Sequence, residues 1–351
     1  MNNSFGSAFT VTTFGESHGA ALGVIVDGMP AGIPIDSSFI QQELDRRKPG
    51  QSAVSTARKE SDCGEILSGV FQGVSTGTPI AVLLRNADQH SKDYSNIAEI
   101  FRPGHADFTF FQKYGIRDYR GGGRSSGRET AARVAAGAIA KLLLKEYGIT
   151  VRACAGQIGK VKAQIPYDWD EVEKNIVRSA DAEAAEKMVL AIKEAQAQKD
   201  SIGGTVYGEI LGLPAGLGEP VFDKLDALLA HGFMSIGGIK GVEIGDGFDV
   251  VEKLGSENND SMDKNGFLSN HAGGILGGIS TGEKITFSLA VKPTPSISRE
   301  QQTVDLSGNA RSITITGRHD PCIVPRIIPV VEAMAAVVLA DFALLQRCAR
   351  I

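Results

Sequence analysis

Apolar and polar positions alternate from the start of the chain. The run FTVTT (residues 9–13) is β-branched and bounded by glycine, and residues 21–28 form a second run closed by the turn-rich GMPAG; both predict strands. Asp36 and the two serines after it offer caps for a helix through Arg47, stopped by Pro49 and Gly50. Residues 66–84 alternate well enough for two strands, and 205–211, 285–291 and 312–316 for one each. Helical spacing predicts helices over 129–147, with Gly148 beyond the end, over 181–199, over 223–234 and near 328–347. Residues 51–62, 85–96 and 254–272 are polar and without period, which predicts connections, the first and last mobile. Strands and helices mix without a βαβα rhythm, so the expected class is α+β rather than a doubly wound sheet. No linker-like stretch divides the chain, and 1–351 reads as a single domain.

Composition narrows the function. The chain is 42% apolar and 22% charged, a soluble globular mix that excludes disorder for most of its length. Its 36 Lys and Arg against 41 Asp and Glu leave −5, so no global basic field draws it to nucleic acid. The 42 glycines exceed average usage and point to tight loops and close approach of backbone to ligands. Cys63, Cys154, Cys322 and Cys348 lie far apart without a CxxC pair, which argues against a disulfide framework or zinc site and fits a reducing cytosol. The first residues, MNNSFGSAFTVTTFGES, lack a basic region followed by an apolar stretch, so no signal peptide is expected. The most apolar segment, 326–347, carries Glu332 and Asp341 and reads as a buried helix rather than a membrane span. The expected location is cytoplasmic.

The chemistry concentrates in residues 102–133. Arg102, Lys113, Arg117, Arg120, Arg124, Arg128 and Arg133 face only Asp107, Asp118 and Glu129 there, a local +4 inside a negative chain. Charge so gathered suggests a pocket for a small polyanion, with a solvated basic face as the bland alternative. The run GGGRSSGRE (121–129) opens a predicted helix, and Ser126 with Glu129 has capping-box spacing. Glycines that let the backbone bend, followed by a helix N-terminus, suit an anion. His18 and His105 stand among small residues, and neither has metal-ligand spacing. His319, between Arg318 and Asp320 and ahead of Pro321, marks a rigid polar corner, with structural ion pairing the even alternative.

Taken together the motifs FGESHG (14–19), DRRKPG (45–50), FRPGHAD (101–107), GGGRSSGRET (121–130), GVEIGDGF (241–248), NHAGGILGGIS (270–280), KPTPSI (292–297) and GRHDPC (317–322) resemble those of the chorismate synthase family, in the family's order and over nearly the whole chain. The resemblance implies a single-domain β-α-β sandwich, a homotetramer, and loss of phosphate and a ring hydrogen from 5-enolpyruvylshikimate 3-phosphate to give chorismate. It also implies reduced FMN, required without being consumed. By that likeness His18 protonates the leaving phosphate, His105 meets the reduced flavin, Asp320 assists proton removal through the flavin N5, and Ser17 and Ser126 support proton relays. The flavin contacts carry over to Arg124, Ser125, Ser126, Gly277, Lys292, Pro293, Thr294, Pro295, Ser296 and Arg318. Gly237 and Gly238 fall where members often have Asn-Ala, so only backbone contact is expected there. A family NADPH contact maps to Arg47 and to residue 53, which carries NADPH over as a reductant; Ala53 stands where many members have arginine, which weakens the case for intrinsic flavin reduction. Neither nucleic acid nor membrane is implied as a partner. A non-catalytic phospholigand-binding relative is the alternative.

Overall fold

Two five-stranded sheets, antiparallel throughout, face each other across a layer of helices. The computed structural model describes residues 3–50, 60–86, 98–119, 121–315 and 319–349. The first sheet runs Ser4–Phe5, Thr10–Gly15, Ala21–Asp27, Ile80–Arg85, Gly64–Ile66 in spatial order. The second runs Ile239–Ile244, Ile285–Val291, Gly204–Leu211, Thr150–Ile158, Val161–Lys162. The helices are α1 (Ser37–Arg47), α2 (Asp107–Tyr114), α3 (Thr130–Glu146), α4 (Ala182–Ala197), α5 (Leu225–Met234), the short α6 (Gly255–Asn258) and α7 (Val324–Leu345). The fold is α+β, as the irregular mixing of elements predicts.

Strand periodicity sets which faces turn inward. In Ile285–Val291, Ile285, Phe287, Leu289 and Val291 are buried, and the residues between them are less so. The helices α3 and α7 fill the middle. α3 packs on the first sheet, α7 on the second, and the two pack on each other, so α7 is apolar and buried on nearly every side. By length and composition α7 is apolar enough to cross a membrane, yet 94% of its most apolar stretch is buried inside the protein. One continuous apolar cluster runs through both sheets and these helices.

Several elements depart from the sequence reading. Residues 66–84 hold parts of four short strands rather than two, including the hairpin of Val70–Phe71 with Val74–Ser75. The last predicted strand is Ala310–Thr314, paired with Glu300–Val304. Residues 254–272 carry α6 and the hairpin Met262–Asp263 with Gly266–Phe267, and Asp260 accepts from Ser269 Oγ and the His271 and Ala272 amides. The C-terminal helix starts at Val324, with Pro325 in its first turn and Pro329 inside. Pro329 has no N–H for the Pro325 carbonyl, and Arg178 Nη1 takes that carbonyl instead at 2.7 Å. Most of the predicted loops 51–62 and 85–96 lies outside the described residues.

Candidate functional site

A cavity of about 630 Å³ opens where loops from both sheets meet the helix ends. That size is ordinary for a small-molecule site, roughly 300–1,000 Å³. Arg47 reaches it from the end of α1, His105 from the turn before α2, and Arg124, Ser125 and Ser126 from the turns before α3. Gly237, Gly238, Lys292, Pro293, Thr294, Pro295 and Ser296 form another wall, and His319, Asp320 and Arg326 close it at the start of α7. Eight cationic side chains line the space: Arg47, Arg102, Arg124, Arg128, Arg133, Lys240, Lys292 and Arg326. Its two lining carboxylates are already paired, Glu129 with Arg133 at 3.0 Å and Asp320 with Arg326. The balance is that of a receptor for a compact polyanion.

The glycine-rich turn works by close approach. A Cβ on Gly121 would stand 2.1 Å from His18 Nδ1 and 2.9 Å from Ser17 Oγ, so only glycine lets this turn meet the FGESHG loop. Ser17 is buried behind His18, its Oγ 3.1 Å from Nδ1. Arg124 ties the same turn to the strand ahead of that loop, donating to the Gly15 carbonyl at 3.1 Å and to Thr13 Oγ1 at 2.6 Å. Ser126 Oγ accepts from the Arg128 amide at 3.2 Å and so caps a 3₁₀ turn, Gly127–Glu129, that precedes α3. The reciprocal half of the expected capping box is not made: Glu129 turns forward to Arg133.

His105 belongs to a buried ionic cluster. Arg102 donates twice to Asp107, both at 2.7 Å, and Arg117 Nη1 lies 3.1 Å from the same carboxylate. His105 Nδ1 is 2.9 Å from Asp107 Oδ1, off the line of a hydrogen bond. Burial pushes the Asp107 carboxyl up, but the bonds from Arg102 and the contact with His105 outweigh it and hold it well below the carboxylate range. Lys292 joins three loops: its Nζ donates to the Gly104 carbonyl at 2.9 Å and its amide to the Gly238 carbonyl at 2.9 Å. Burial, and then Lys240, lower its pKa.

On the other wall Asp62, fully buried, accepts from both Arg47 and Arg128. Burial pulls Arg47 down to about 10, Asp62 opposing and Arg326 and Arg128 reinforcing the fall. Burial raises Asp62, and the two guanidiniums more than reverse that, leaving it lowered. His319 is held down to about 4, first by burial and then by Arg102, so it is neutral near pH 7.

Of the catalytic and flavin-contact residues carried over by the resemblance, all but Ser17, Gly277 and Arg318 line this cavity. Ser17 stands behind His18, Gly277 sits in the turn between Ile275–Leu276 and Ile279–Ser280 away from the lining, and Arg318 lies outside the described residues, as do Ala53 and Arg120. Sequence reasoning missed Asp62, Asn86, Lys240 and Arg326. Six buried side-chain N or O atoms among the described residues lack a hydrogen-bond partner, and four belong to cavity residues: Arg47 Nε, Thr294 Oγ1, His319 Nε2 and His105 Nδ1, the last facing Asp107 without a hydrogen bond. Orphaned polar atoms gathered at one cavity point to a bound ligand. No group of three or more His, Cys, Asp or Glu placed to hold a metal ion occurs among the described residues.

Comparison with known proteins identifies the family of the chain. A family model described as chorismate synthase matches residues 9–344. The chorismate synthase of Sulfurimonas denitrificans is 55% identical over 343 residues, covering 98% of this chain and 96% of its own. That of Maridesulfovibrio salexigens is 55% identical over 345 residues, covering 98% of each. A crystal structure of chorismate synthase superposes with a TM-score of 0.77 at 31% identity, over 97% of this chain and 93% of that one.

Proposed function

The chain belongs to the chorismate synthase family, and from that premise we propose that it eliminates phosphate from 5-enolpyruvylshikimate 3-phosphate to yield chorismate and inorganic phosphate, with reduced FMN bound in the same cavity. Membership makes it a lyase of chorismate formation and aromatic amino acid biosynthesis. The observation that carries the finer reading is the convergence of eight cations on one cavity whose two carboxylates are already paired. A substrate with one phosphate and two carboxylates is the kind of anion such a wall receives.

In the reaction a C–O bond to phosphate and a ring C–H bond break, and a new C=C bond forms. The lining cations stabilise charge as it gathers on the departing phosphate. His18, steadied by Ser17 Oγ at Nδ1, gives a proton to the leaving phosphate oxygen. Asp320, held against Arg326, assists removal of the ring proton. His105, fixed beside Asp107, and Ser126 border the ring-binding space.

The residues present fit the flavin. Thr294 Oγ1 is buried without a partner in the 292–296 wall, and Arg124, Ser125, Ser126, Gly237 and Gly238 adjoin the same space. Bound reduced FMN supplies a reducing equivalent that is returned within each turnover. Arg47, the mapped NADPH contact, lines the cavity and is held by Asp62 and the Gly127 carbonyl. Assembly as a homotetramer and a cytoplasmic location come with the family reading.

The test is an anaerobic assay with 5-enolpyruvylshikimate 3-phosphate and dithionite-reduced FMN, with and without NADPH. Chorismate and phosphate in equal amounts from reduced FMN alone are expected; turnover from oxidised FMN with NADPH would add that the chain reduces its own flavin. Tight calorimetric binding of the substrate without product would return the non-catalytic alternative.

A further inference from the structure

One carboxylate reaches two of the buried arginines of the cavity wall. Arg47 and Arg128 are 1% and 4% exposed, and Asp62 is wholly buried. Asp62 Oδ2 accepts from Arg47 Nη2 and Oδ1 from Arg128 Nη1, so its two oxygens are divided between the end of α1 and the turn before α3. The carboxylate is itself anchored, since the Asp62 carbonyl accepts from Gln41 Nε2 of α1 at 3.2 Å. Arg128 gives its Nε to Asn86 at 2.9 Å. Arg47 Nη1 reaches the Gly127 carbonyl at 3.3 Å, and the Arg47 carbonyl accepts from Arg326 Nε at 3.3 Å. Contacts therefore run without a break from Asp62 through Arg47 to Arg326 and on to Asp320.

A negative charge placed behind an anion site by itself opposes anion binding, so its presence there calls for a role in holding the two arginines. The geometry points to Asp62 as a positioning residue that clamps Arg47 and Arg128 into one wall and fixes the turn and the Arg326–Asp320 pair against it, thereby setting affinity for the phosphorylated substrate. This rests on the function proposed above. Without the bridge two buried guanidiniums repel each other, and the angle-dependent hydrogen bonds of the wall lose their fixed direction.

The sign of one substitution separates positioning from plain electrostatics. Asp62→Asn keeps the size and removes the charge. If Asp62 acted only through its charge, this change would tighten anion binding; if it orients the wall, binding weakens. The measurements are KM and kcat for 5-enolpyruvylshikimate 3-phosphate with reduced FMN, and calorimetric titration with inorganic phosphate. We expect KM and the phosphate Kd to rise roughly 10- to 100-fold, the size of a hydrogen bond to a charged group, with a smaller fall in kcat. Tighter or unchanged binding by folded Asp62→Asn overturns the inference. If that variant does not fold, Asp62→Glu, which keeps the charge and moves it by one methylene, is expected to raise KM and Kd in the same direction; unchanged values overturn the inference. A wild type that binds phosphate yet turns nothing over sinks the functional reading, and the phosphate titration still decides Asp62. A wild type that binds neither anion sinks both.

Discussion

His319 is placed where protonation is costly. Burial, then the Arg102 guanidinium, hold it down to about 4, against 6.5 for a free imidazole, with Asp320 opposing and His105 adding to the fall. Between those values the unfolded chain takes up a proton that the folded protein refuses. The stability this contributes is whole above about pH 6.5 and drains away as pH falls toward 4, on the order of 3 kcal/mol in all. Urea midpoints measured across that window should fall with pH, and His319→Gln should flatten the slope; equal slopes would remove His319 from the account. At this scale the site was partly legible. His18, His105, Ser126 and the 292–296 stretch stand in motifs whose glycines, prolines and charges announce them. Asp62 announces nothing, a single aspartate in a polar run, because what makes it matter is the pair of arginines that folding brings to it from 15 and 66 positions away.

Elements were legible where one face is wet. The alternating strands and the amphipathic α1 and α4 carry their period in the sequence, with Asp36 as the cap where expected and Asp181 capping α4. Thr150–Ile158 does not: it is buried on both faces through most of its length, so TVRACAGQI shows no alternation to read. α2 is only eight residues long and lacks a side-chain cap. The prolines of α7 read as stops until its first turn, and Arg178, are seen to accommodate them. Helix pairing depends on small residues in the same hidden way. At the crossing of α3 and α7, a Cβ on Gly137 would stand 2.2 Å from Ala333 Cβ and 2.4 Å from its Cα. Gly137→Ala brings about 1 kcal/mol of helix propensity, but backbone cannot yield as a side-chain tip does. We expect a net loss of about 1–3 kcal/mol from overpacking, read as a lower denaturant midpoint. A more stable variant would show that the helices separate freely.

Across the whole molecule α7 is the common partner. Its Glu332 takes Arg46 of α1 at 2.6 and 3.0 Å, Lys141 of α3 at 2.7 Å and the Ala153 amide of the second sheet at 3.1 Å. Nearer the end of α7, Asp341 accepts from the amides of Ser7, Ala8 and Phe9, fastening the beginning of the first sheet to the middle layer. These ties matter because a buried carboxylate is tolerated only when its partners are in place. Yet this helix follows both sheets in the chain, so on the ribosome it is made after them. A nascent chain that has emerged as far as residue 323 has α3 on its first sheet but not α7 on the apolar face of the second, and it must be kept from aggregating until α7 arrives. Ribosome-arrested chains should accordingly stay open to protease until α7 has cleared the exit tunnel and then close in one step; early resistance would mean that the sheets pair without it.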